Sequence, residues 1–205
     1  GRVVTDFTDP APALSKVQRI PFEFTRTDGV TLHAEAVLPA DWTPRTPLPT
    51  LFWIYPNDYR SAAAASQNRT SPQRFPSQSA LNPEVLVTQG YAVVKPDLAI
   101  VGTNDQYVAE LQRSAQAAVD ECVRRGFTDR DRIAVGGHSY GAFSTVNCLA
   151  HTKLFRAGLA SDGAYNRTLT GVRGHVERPE GFGNVFVSRD TLKQVVEEIQ
   201  ANGTS

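Results

Sequence analysis

Over the first fifty residues, hydrophobic and polar positions alternate with a period of two. Ile20, Phe22 and Phe24 alternate with polar residues, Asp28-Gly29 interrupts, and Val30, Leu32, Ala34 and Ala36 resume the alternation. Such a pattern on both sides of an Asp-Gly pair predicts an antiparallel hairpin with one buried face. A proline-rich connector follows at Pro39, Pro44, Pro47 and Pro49. The pattern then changes: residues 50–55 form a short unbroken apolar run, as expected of a strand buried on both faces. A polar loop is predicted over 56–79, and Asn82-Pro83 opens a short helix as cap and first-turn residue. Gly90 closes it, and 91–95 reads as the next strand. Asp105 is placed to cap a helix over 106–125. Its stripe of Val108, Leu111, Ala115, Ala118 and Cys122 has helical spacing, with Gly126 at the stop. Residues 132–136 form another buried strand, 140–150 a helix and 157–161 a strand. Near the end, Leu192, Val195, Val196 and Ile199 line one face of an amphipathic helix over 191–200. A hairpin leading into alternating strands and helices predicts an α/β fold. Its sheet should be mostly parallel, with helices on both faces and an antiparallel pair at one edge.

The 205 residues suit one domain, with a core over 1–170 and a divergent tail over 171–205. Basic and acidic residues balance at 21 each. No single-sign field is available to attract nucleic acid or an anionic membrane, so a peptide or small-molecule ester substrate is the natural partner. No apolar run approaches the roughly 18–20 residues needed to span a bilayer. The N-terminus shows no charged-then-apolar signal segment, which gives a cytoplasmic expectation. Cys122 and Cys148 lie in apolar, helical surroundings and read as buried free thiols. Metal-ligand spacing, phosphate-binding glycine loops and redox cysteine pairs are all missing, so no cofactor is expected.

The chemistry concentrates in Gly137-His138-Ser139-Tyr140-Gly141, a G-x-S-x-G sequence between a predicted strand and a predicted helix. On such a turn the serine hydroxyl projects above the sheet, and the flanking positions leave no room for side chains. Ser139 is the candidate nucleophile, and the Tyr140 amide, at the positive end of the following helix, is a candidate oxyanion donor. A serine needs a base. His33 lies on the hairpin, His138 is part of the elbow itself, and His151 closes the next helix. Only His175 follows Ser139 at a distance. Asp162 could orient it in the serine–acid–histidine order of α/β-hydrolases, although only thirteen positions separate the two.

The run from Asp131 to Phe143 resembles the catalytic domain of prolyl-oligopeptidase-family serine peptidases. Leu154-Phe155-Arg156-Ala157-Gly158 and Gly163-Ala164-Tyr165-Asn166-Arg167-Thr168-Leu169-Thr170 are similar to its glutamyl-endopeptidase-like branch. Arg26 to Leu32, Leu38-Pro39, Trp53-Ile54-Tyr55-Pro56 and Thr88 to Val93 fit the start of the same domain. The resemblance implies an α/β-hydrolase fold and cleavage of peptide bonds through an acyl-serine, with acidic-residue preference. It also implies a second oxyanion donor, a tyrosine hydroxyl falling on Tyr55, and a β-propeller preceding this domain. After Thr170 the sequence departs from the family. Since 66 residues follow Ser139, the usual acid and base are not assignable, and the C-terminal part of the sheet is expected to be incomplete. Two alternatives therefore stand beside the peptidase: a catalytically inert fragment, and a small esterase using His175 as base. A sheet lacking its last strands would present a bare edge, and self-association through it is a further expectation unless the tail covers it.

Overall fold

The computed structural model describes residues 9, 11–44, 46–65, 67, 82–163 and 165, and the backbone of 185–188. The hairpin forms where predicted, from β1 (Gln18–Thr25) and β2 (Thr31–Leu38), paired antiparallel from Gln18↔Leu38 to Thr25↔Thr31. Gly29 takes φ 86° in the turn, a conformation that costs other residues steric energy. Arg26 turns inward from this hairpin end and is 2% exposed. Its guanidinium donates to the Ala99 carbonyl at 3.0 Å, to Ser114 at 3.1 Å, and to the carboxylates of Glu110 and Asp28 at 2.7 and 2.5 Å. A buried charge is tolerable only when paired in this way, and the cluster locks the hairpin to the helix that carries Glu110.

Beyond the connector run β3 (Leu48–Trp53), β4 (Asn57–Tyr59), the single turn α1 (Ala62–Ala65) and a 3₁₀ helix over Pro83–Gln89. They are followed by β5 (Ala92–Pro96), β6 (Ala99–Val101) and α2 (Tyr107–Arg124). The last group is β7 (Thr128–His138), α3 (Tyr140–His151), β8 (Ala157–Ser161) and β9 (Val185–Ser188). Seven strands make one sheet in the order β1-β2-β5-β3-β7-β8-β9. The pairs β5–β3, β3–β7 and β7–β8 are parallel, while β1–β2, β2–β5 and β8–β9 are antiparallel. A small parallel pair, β4–β6, stands apart.

Both faces are covered. Leu111, Ala115, Ala118 and Cys122 of α2 join Cys148 and Leu149 of α3 in one cluster with Phe22, Phe52, Val94 and Val135. Val93 points the other way, as successive strand residues must, and packs with Val37 and Val87 beneath the 3₁₀ helix. Glu84 of that helix is also buried, and accepts hydrogen bonds from Arg19 and Lys95 on β1 and β5.

Several local expectations need correction. The segment predicted as a polar loop contains β4 and α1. The helix after Asn82 is 3₁₀, although Asn82 does cap it by accepting from the Glu84 amide, and Gly90 does end it at φ 84°. Asp105 does not cap α2; it sits in a short 3₁₀ turn, and the cap position falls to Gln106 with no side-chain bond. The buried stripe of α2 begins at Tyr107 rather than Val108. In the tail, the edge along β8 for which cover was expected pairs with a strand, β9. The predicted helix over 191–200 lies outside the described residues.

Candidate active site

β7 ends at His138 and α3 begins at Tyr140, so Ser139 alone makes the turn, at φ 55° and ψ −113°. A non-glycine residue holds such a conformation only where its surroundings over-determine it. Here the Ser139 amide donates to the Ser161 carbonyl of β8 at 2.9 Å. The Ser139 carbonyl accepts from the amides of Ala142 and Phe143 at 3.1 and 3.2 Å. The glycines on either side bring β3 against the turn. A Cβ added at Gly137 would lie 2.5 Å from the Ile54 carbonyl oxygen, and one at Gly141 only 2.1 Å from the same atom. Ile54 is fixed in turn, donating from its amide to Gly136 at 2.7 Å. The result is an exposed Ser139 at the carboxyl ends of the parallel strands and the amino end of α3. Open α/β sheets bind ligands at the carboxyl ends of their strands, and a helix amino end favours negative charge.

Tyr55, two residues past β3, is 54% exposed. Its ring meets that of Tyr140 edge-to-face, at 6.1 Å between centroids and 80° between planes. Tyr140 is the first residue of α3, in the turn whose amides have no intrahelical acceptor. Its phenol donates to Asp58 of β4 at 3.3 Å. On the β8 side, the Tyr165 ring stands against the same helix start. A Cβ at Gly163 would fall 2.6 Å from that ring and 2.9 Å from the Ala142 side chain.

The candidate acid, Asp162, lies just beyond β8 as the sequence predicts. Asp162 follows β8 at φ 53°, and its Oδ2 faces His138 Nδ1 at 3.6 Å and the Ser161 hydroxyl at 3.4 Å. His138 Nδ1 is buried and has no hydrogen-bond partner among the described residues, so Asp162 is the charged group it faces. His175 lies outside the described residues. His33 faces Glu23 at 3.6 Å and His151 ends α3. The sequence contains a signal for the Asp162 placement. Parallel pairing of β7 with β8 sets His138 opposite Ser161, which brings the next residue beside His138.

A second group belongs to no motif of the sequence. Tyr107, the first residue of α2, is buried, and its hydroxyl lies 2.7 Å from Ser144 Oγ. Ser144 in turn donates to the Tyr140 carbonyl at 2.6 Å. Burial pushes the Tyr107 phenol well above its ordinary value. The signal was available in the spacing, because Tyr107 precedes Leu111 by one helical turn and continues the buried stripe.

Comparison with known proteins gives consistent matches. The sequence pattern described as the prolyl oligopeptidase family matches residues 76–184. A rice protein (Oryza sativa subsp. japonica) named probable glutamyl endopeptidase, chloroplastic, is 45% identical over 190 residues, and its Arabidopsis thaliana counterpart is 44% identical. Both alignments cover 88% of this chain and 19% of the relative, so the chain spans about a fifth of the length of the curated relatives it matches. Among solved structures, Porphyromonas gingivalis dipeptidyl peptidase 4 superposes with a TM-score of 0.50 at 21% identity, over 70% of this chain and 20% of that one. That likeness is one of fold: an α/β-hydrolase sheet.

Proposed function

Because the chain belongs to the prolyl oligopeptidase family, we propose that Ser139 is the nucleophile of a serine peptidase that opens peptide bonds through an acyl-serine intermediate. The observation that carries this reading is the elbow itself: an exposed serine at φ 55° between a buried strand and a helix amino end. In this mechanism Ser139 Oγ attacks the scissile carbonyl carbon as its proton passes to a general base. The carbonyl oxygen becomes an oxyanion, held by the Tyr140 amide and the Tyr55 hydroxyl. Collapse expels the amine with a proton returned from the base, and water then releases the acyl group by the same steps in reverse. His175 is the candidate base by its position after Ser139. Asp162 is the candidate acid by its place between Ser139 and His175, and its carboxylate also faces His138 at 3.6 Å. Preference for cleavage after acidic residues is supported by the names of the 45% and 44% identical relatives.

The test is labelling with an alkyl fluorophosphonate at neutral pH. One equivalent should attach to the wild type and none to Ser139→Ala. Absence of labelling in the wild type rejects the peptidase and the small esterase together, and leaves an inert hydrolase scaffold. If labelling occurs, its loss in His175→Ala assigns the base to the tail. Turnover of a glutamyl peptide against a short aryl ester then separates peptidase from esterase.

A further inference from the structure

We propose that Tyr107 is a positioning residue for the oxyanion site, acting on Tyr140 through Ser144 and through its ring; this rests on the serine-peptidase reading. Counting hydroxyl protons gives the direction of the relay. Ser144 has one, and the 2.6 Å contact commits it to the Tyr140 carbonyl. The 2.7 Å contact between Tyr107 and Ser144 must therefore use the Tyr107 proton. The relay runs Tyr107 O–H to Ser144 Oγ, then Ser144 O–H to the Tyr140 carbonyl. Each donor polarises the next in a buried, low-dielectric setting.

This relay adds a side-chain donor to the helix's own hold on one of the two peptide planes flanking the Tyr140 Cα. The other, between Ser139 and Tyr140, is fixed by the Ser139 carbonyl, which accepts from Ala142 and Phe143. With both planes held, the direction of the Tyr140 amide is set before any substrate arrives. The same phenol also supports the second donor. The Tyr107 and Tyr140 rings lie 5.8 Å apart, Tyr107 and Phe143 lie 5.4 Å apart, and Tyr140 stacks on Phe143 at 6.2 Å and 10°. Tyr140 then meets Tyr55 edge-on. One buried side chain from α2 thus underlies the backbone donor through Ser144 and the phenolic donor through a single ring. Such an arrangement suits a site that must hold two donors in place as charge develops.

The experiment compares phosphonylation of Ser139 by a fluorophosphonate and by its P=S analogue. The P=O oxygen occupies the oxyanion site, whereas sulfur is larger and accepts hydrogen bonds poorly. Loss of an oxyanion donor outright costs about 10²–10³ in rate. Tyr107→Phe, which keeps the ring and removes the proton, is expected to slow P=O labelling by about tenfold and leave P=S labelling nearly unchanged, lowering the P=O to P=S rate ratio. Ser144→Ala should reproduce the effect, Ser144→Thr should restore it, and the double variant Tyr107→Phe/Ser144→Ala should be no slower than either single one, as expected of one chain of contacts. If the wild type labels and the ratio in Tyr107→Phe is unchanged, or if both rates fall together, the positioning role is wrong while the nucleophile stands. If the wild type does not label, the peptidase reading falls and this inference falls with it.

Discussion

Replacing Gly141 by alanine tests the physical origin of the elbow. The added Cβ would sit 2.1 Å from the Ile54 carbonyl oxygen, where real Cβ contacts are essentially never below 3.0 Å. Ile54 cannot retreat: it is 1% exposed and its amide is bonded to Gly136. Nor can α3 slide freely over the sheet, since at Gly158 a Cβ would already lie 2.5 Å from Leu149. The start of α3 must therefore lift from β3 by about 1 Å, and a displacement of that size at a reacting centre can cost on the order of 10²-fold in rate. Overpacking of this kind also destabilises by about 1–3 kcal/mol, which lowers Tm by roughly 2–4 °C per kcal/mol in a chain of this size. Gly29→Ala supplies the control. Its φ of 86° makes alanine strained, but nothing lies within 4 Å of the added Cβ. It should cost about 1–2 kcal/mol and leave Ser139 labelling untouched. The assays are a thermal melt and the rate of fluorophosphonate labelling, run on both variants. A Gly141→Ala protein that labels within about twofold of wild type would refute the claim that the Ile54 carbonyl shapes the turn.

Two further outcomes follow from buried groups. Burial alone would raise the Glu84 carboxyl, but hydrogen bonds from Arg19 and Lys95 and their charges overcome it and hold it at about 2, against an ordinary 4.5. A carboxylate depressed in this way contributes about 3 kcal/mol of stability. That contribution is present above about pH 4.5 and lost as pH falls towards 2. Glu84→Gln should thus unfold at lower urea than wild type at pH 7, with the gap narrowing from about pH 4.5 down towards pH 2; a gap independent of pH would exclude the ion pair as its source. Burial also pushes the Cys148 thiol up to about 12 and the Cys122 thiol up likewise. Because the thiolate is the reactive form, Ellman's reagent at pH 8 should titrate neither thiol in the native protein and both in guanidinium.

Where hydrophobic spacing is regular, the sequence predicts the element. The alternation around Asp28-Gly29, the run at 50–55 and the strand over 157–161 each reflect burial that one segment imposes on its own side chains. The departures have a different character. β4 and β6 are three-residue strands whose pairing brings Asn57 opposite Ala99 across forty-two positions, so neither shows a period of its own. β9 is four residues long and exists by pairing with β8. Asp105 has the right chemistry for a cap but stands two residues before α2, in a 3₁₀ turn.

The same distinction runs through the site. The elbow is legible because its requirements are local: two glycines where a neighbouring carbonyl leaves no room, a serine between them, and apolar residues on either side. Everything that makes the serine more than a turn residue comes from distant segments meeting it. Asp162 looks in sequence like an acid awaiting a later histidine, because only its order relative to Ser139 is visible. In the fold, strand register adds a neighbour that the sequence does not show, because the carboxylate faces His138 at 3.6 Å. Tyr107 looks like the start of a helix stripe, yet its hydroxyl reaches across thirty-seven positions to Ser144. A nucleophile is thus recognisable from its own neighbourhood, whereas competence depends on groups whose identity is set by register. Labelling of Ser139 therefore has to be measured together with its dependence on Tyr107 and His175. The first asks whether the turn is formed, and the second asks whether distant segments have made it reactive.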